Sequence, residues 1–156
     1  MTGRDDICIP PRLFTHEAEI IEVGEGLLAC TLPRPRWTHE AHLAACLYLM
    51  LRRPEIALEA ELPGIIRRYN VSVGTENTDT SGYHETITQF YIRAIRAFAA
   101  TEQAASEADM LPLCNRLLAS EMGERAYPLR FWSREALFSI PARHDWVEPD
   151  LARLPF

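Results

Sequence analysis

The sequence predicts an all-α fold: a single-domain, up-and-down helical bundle of about five helices with irregular N- and C-terminal segments. Three observations predict it. Apolar residues recur at three- and four-residue steps along most of the chain, strand-like alternation is scarce, and helical stretches follow one another through short connections. The 156 residues suit one domain spanning 1–156, with 1–14 and 141–156 irregular. An apolar fraction of 47% and a charged fraction of 24% are those of a globular chain rather than a disordered one.

Residues 1–14 contain Pro10-Pro11, which bars regular structure. From Thr15, the spacing of Ile20, Val23, Leu27 and Leu28 predicts a helix, although Gly24 and Gly26 leave a short hairpin open. Pro33-Arg34-Pro35-Arg36 ends that element. Thr38 is a good N-cap, and the helix behind it runs to about Arg53. Its segment Ala41–Leu51 is apolar nearly all round, which puts it at the centre of the bundle. Pro54 starts an amphipathic helix through Ile56, Leu62, Ile65, Ile66 and Tyr69, with Pro63 expected to kink or break it. Residues 73–82 are a polar loop. Tyr83 to about Thr101 is helical, with Ile87, Tyr91, Ile95 and Phe98 on one stripe. A further helix spans roughly Asp109 to Glu121, and Ser133 caps a shorter one over 134–140.

Composition narrows the function classes. A net charge of −6 and basic residues spread along the chain argue against a nucleic-acid partner. No apolar run approaches the roughly 20 residues needed to cross a bilayer. Met1-Thr2-Gly3-Arg4-Asp5-Asp6 does not open a secretory signal. Cys8, Cys30, Cys46 and Cys114 show no CxxC spacing or disulfide framework, which fits a reducing compartment and a cytoplasmic location. A homo-oligomer is compatible with the sequence but is not specified by it.

One constellation carries chemistry. His39 and His42 sit three residues apart on one face at the start of the central helix. His84 falls on the inward stripe of Ile87, Thr88 and Tyr91. Three helices running up, down, up bring the first and third starts to one end, so the three histidines are expected to converge. Three neutral imidazoles suit a divalent metal, zinc first, and leave a coordination position for water. Glu85 or Glu40 would then move the proton. The pattern is not HExxH, which needs three residues between its histidines, and no histidine follows Glu by three as in di-iron bundles. The same histidines also suit structural roles as caps or buried hydrogen-bonding groups.

Two helix starts at one end also make an anion site, with Arg34 and Arg36 before one and Arg125 and Arg130 returning to it. Arg36, Asn77, Tyr83 and Thr88 are the candidate ligand-binding residues. Cys46 is too apolar in its surroundings to be a nucleophile, because burial raises a thiol's pKa.

Trp37-Thr38-His39-Glu40-Ala41-His42-Leu43 and Gly82-Tyr83-His84-Glu85-Thr86-Ile87-Thr88 resemble motifs of a family of small uncharacterised bacterial α-helical proteins. A third stretch, from Leu137-Phe138-Ser139 through Ala142-Arg143, Trp146 and Pro149-Asp150-Leu151, extends the likeness over most of the chain in the same order. The resemblance implies a compact helical protein of a bacterial cytoplasm. It carries the three histidines, Tyr83, Thr88, Arg143 and Asp150 as motif positions without a role.

Two functions are therefore expected. One is a small metal-dependent enzyme acting on a polar small molecule through His39, His42 and His84. The other is a non-enzymatic helical module that binds a small ligand or another protein, with structural histidines.

Overall fold

The computed structural model describes residues 9–102 and 110–156. Within them the chain forms α1 (Glu17–Ala29), α2 (His39–Arg52), α3 (Leu58–Ser72), α4 (Glu85–Thr101), α5 (Met110–Ala119), α6 (Arg134–Leu137) and α7 (Ile140–His144). No strand occurs among the described residues, so the fold is an all-α bundle. No helix among them is long and apolar enough to cross a membrane. Short 3-10 turns cover Arg34–Arg36, Glu121–Gly123 and Tyr127–Arg130.

Helix α2 organises the bundle. The Thr38 hydroxyl accepts the Ala41 N–H at 3.2 Å, satisfying one of the orphan donors at the helix start. Behind it, Ala41 and Leu43–Leu49 are all buried, as an all-round apolar helix must be. It packs against α1, α4 and α5, and α1 also meets α3 and α5. The hairpin alternative for α1 gives way to helix because Gly24 faces α2: a Cβ there would lie 2.0 Å from the Tyr48 ring. The glycine that weakens helix propensity is the one that lets the two helices touch.

Proline shapes the next elements differently from the sequence expectation. Helix α3 begins at Leu58 rather than Pro54, because residues 54–56 form a turn and the Glu61 carboxylate accepts the Ala57 N–H at 2.6 Å. Pro63 lies inside α3 without ending it. A proline there removes the N–H that the Glu59 carbonyl would otherwise receive. Gln89 of α4 replaces it, donating from Nε2 to that carbonyl at 2.9 Å.

The C-terminal part is more ordered than the sequence predicts. The helix over 134–140 is two short ones, because Ser133 and Ser139 each cap a separate turn through Ala136 N–H (3.1 Å) and Ala142 N–H (3.2 Å). Residues 141–144 are therefore helical, not irregular, with Pro141 in the first turn where its missing N–H costs nothing. Asp150 holds Ser133 through its N–H and hydroxyl at 2.7 and 2.6 Å. Trp132 donates to the Val147 carbonyl at 2.9 Å. These ties build a second core of Phe90, Tyr127, Phe131, Trp132 and Leu137 beside the main one. The helix expected from Asp109 to Glu121 is α5; Asp109 lies outside the described residues, and Glu121 falls in the following 3-10 turn.

Candidate functional site

The first turns of α2 and α4 share a cavity of about 460 Å³, open to the surface. Its walls are mostly apolar, with Trp37, Leu43, Leu62, Ile66 and Ile87 among them, and no acidic side chain among the described residues lines it. That volume lies within the range of about 300–1,000 Å³ usual for small-molecule sites. A second cavity of about 350 Å³ adjoins it, lined by Arg34, Asn70, Tyr83 and His84. Trp37, His42, Ile66, Ile87 and Thr88 belong to both walls. Trp37 and His42 are stacked with ring centroids 3.8 Å apart and planes 30° apart, so the pair stands between the two spaces.

The three histidines take different jobs. His42 donates from Nδ1 to the Thr38 carbonyl at 2.6 Å, which leaves the Nε2 lone pair unprotonated. It is crowded by protein yet exposed to the space it lines, and burial brings its pKa down to about 4. His39 donates from Nε2 to the Gly123 carbonyl at 2.9 Å and lines the first cavity only. Burial lowers its pKa as well, with Arg125 adding to the effect. Both rings are therefore neutral near pH 7.

His84 is spent on the backbone. It is the N-cap of α4 rather than a member of its stripe: Nδ1 accepts the Ile87 N–H at 3.3 Å, and Nε2 donates to the Leu137 carbonyl at 2.8 Å. No nitrogen lone pair is left to coordinate. Among the described residues, no group of three or more His, Cys, Asp or Glu is arranged to hold a metal ion. His39 and His42 meet at the first cavity and His42 and His84 at the second, but the three do not share one space.

The two carboxylates expected to move protons are engaged elsewhere. Glu85 accepts from the Tyr83 hydroxyl at 2.5 Å and from Gln89 Nε2 at 3.0 Å. For Glu40, burial works to raise the pKa, but N–H groups of Glu40 and Arg12 outweigh it, helped by His39 and Arg125. Its carboxylate is thus held in the charged form at the start of α2. Neither residue lines a cavity.

The expected ligand contacts divide. Arg36 pairs with Glu22 at 3.2 Å, outside both cavities. Asn77 is a loop organiser: its Oδ1 accepts from Asn70 Nδ2 at 2.9 Å and from the Tyr83 N–H at 3.0 Å. Gly82 beside it has φ +77°, and a Cβ there would meet the Glu76 carbonyl at 2.5 Å. Tyr83 lines the second cavity, its pKa raised by burial and then by Glu85. Thr88 lines both.

Four further residues matter. The Tyr91 hydroxyl, beside the first cavity, is shielded from solvent with no hydrogen-bond partner among the described residues. Burial raises its pKa. Its position on the apolar stripe hides this, because the sequence gives no sign that the partner is missing. Arg125 reaches the mouth of the same cavity, carried there by the turn whose Gly123 carbonyl holds His39. Arg143 donates to the carbonyls of Gly82 and Tyr83 at 3.1 and 3.3 Å, fixing the loop end that leads into α4. Cys46 sits in the wall with its thiol pushed up to about 12 by burial, so it stays protonated.

No family model matches the chain, and no curated protein and no solved structure matches it.

Proposed function

We propose that the chain is a helical binding module whose central cavity takes up a small, largely apolar molecule. The observation that carries this is the cavity of about 460 Å³ itself, open to the surface and walled mainly by apolar side chains. Trp37 lines it with a large aromatic ring, and the neutral His42, with its Nδ1 proton spent on Thr38, brings an Nε2 acceptor to the same wall. The unpartnered Tyr91 hydroxyl supports the same reading, since a buried unmet hydroxyl costs about 1–3 kcal/mol and recurs where a site has a purpose beyond stability. The metal-dependent reading has less support, because His84 would have to give up a backbone hydrogen bond to serve as a ligand.

The test uses the three indoles. Trp132 Nε1 is bound to the Val147 carbonyl and Trp146 Nε1 to Glu148, while Trp37 lines the cavity. Titrating naphthalene into ¹⁵N-labelled protein should move the Trp37 indole signal saturably and leave the other two in place. Equal movement of all three, or none, would defeat the proposal.

A further inference from the structure

Resting on that reading, we infer that the cavity selects an apolar molecule bearing a single carboxylate, with its head at Arg125 and its body against Trp37 and Ile66. The charge pattern of the wall argues for it. Among the described residues, Arg125 is the only lining side chain that carries a formal charge near pH 7, because none of the lining residues is acidic and both histidines are neutral. One anionic group therefore meets one lining cation, whereas a dianion would leave a charge uncompensated against apolar walls and would face the Glu40 carboxylate, which also feels Arg125.

Local geometry places the head group. The His39–Gly123 hydrogen bond at 2.9 Å brings the start of α2 beside the turn that carries Arg125. Thr38, next to His39 in sequence, also lines the cavity, and its hydroxyl proton remains available because its oxygen is the acceptor for Ala41 N–H. A planar fork and a hydroxyl donor lining one cavity suit a planar, two-oxygen anion. The rest of the wall is mostly apolar, with Trp37, Leu62, Ile66 and Ile87 among its residues.

A matched pair of ligands tests the selectivity. N-phenyl-1-naphthylamine, a neutral dye that fluoresces in apolar surroundings, reports occupancy. It is displaced in turn by 1-naphthylacetate and by 1-naphthylacetamide, which share shape and differ in charge. The acid should compete about tenfold better than the amide, the size expected of one charge-assisted contact at a partly solvated site. Arg125→Gln should erase that preference. Arg130→Gln should keep it, because Arg130 pairs with Glu121 and Glu124 instead. Acid and amide competing equally in the unmodified chain, or a preference that survives Arg125→Gln, would overturn the inference while leaving the cavity reading intact. Tighter binding of 1-naphthyl phosphate than of the acid would overturn the single-charge match. A dye that fails to bind at all would defeat both proposals.

Discussion

His84 ties two distant stretches of backbone together: it caps α4 and donates from Nε2 to the Leu137 carbonyl, 53 residues away, at 2.8 Å. The bond joins the start of a main-core helix to the end of α6 in the second core. His84→Ala removes the cap, worth about 1 kcal/mol, and strands a buried carbonyl, worth about 1–3 kcal/mol. A loss of roughly 2–4 kcal/mol in chemical denaturation is expected on those grounds. His84→Asn can still cap the helix and should lose about half as much. A change within experimental error for His84→Ala would show that the bridge carries no stability.

Zinc responds to the same geometry. With both His84 nitrogens engaged, equimolar zinc should not raise the melting temperature, and His84→Asn should leave zinc uptake unchanged. Stoichiometric zinc that disappears with His84→Asn would restore the three-histidine metal site.

Acid should loosen the fold in a defined window. His42, His39 and His84 all have pKa values lowered chiefly by burial, His42 to about 4. In the unfolded chain each titrates near 6.5. Between those values the unfolded state binds protons that the folded state refuses, so the stability is whole above about pH 6.5 and falls as pH drops toward 4. The Glu25 and Glu59 carboxylates have lowered folded pKa values, so they begin to act only further down. Urea midpoints at pH 7.5 and 5.0 measure the effect, and His42→Gln should reduce the drop. Equal midpoints would contradict a folded state that disfavours protonation of these rings.

The proline in α3 and the glutamine in α4 form a coupled pair. Gln89 supplies the Glu59 carbonyl with the donor that Pro63 lacks. Gln89→Leu should cost about 1–2 kcal/mol in the natural chain by leaving that carbonyl unmet. In a Pro63→Ala background, residue 63 itself provides the N–H, so the same substitution should cost distinctly less. Strict additivity in this double-mutant cycle would remove the explanation.

Much of the bundle was legible because it rests on local chemistry. Thr38 as a cap, the all-round apolar α2 and the stripe of α4 are written in spacing alone. What spacing misses depends on a partner far along the chain. Pro63 reads as a break until Gln89 is placed beside it. His84 reads as an inward ligand because its cap role needs the loop geometry set by Asn77, and its second bond needs Leu137. Residues 141–144 read as irregular because a single turn, held by Ser139 and packed on α4, leaves no periodic signature. For the site, the residue types at the starts of α2 and α4 mark the end of the bundle that holds the cavity. That the space between them is walled by Trp37, Ile66 and Ile87, with Tyr91 unpartnered beside it, follows only from packing.

The most direct measurement of the central claim is the affinity of N-phenyl-1-naphthylamine for the chain and for two variants that fill the cavity. Ile66 and Thr88 are both half-buried and belong to the walls of both spaces, so Ile66→Trp and Thr88→Phe add volume where the ligand would sit. The account predicts one saturable site in the natural chain and its loss in both variants, with helical circular dichroism unchanged. Equal dye binding by the natural chain and the folded variants would place the dye elsewhere and contradict it.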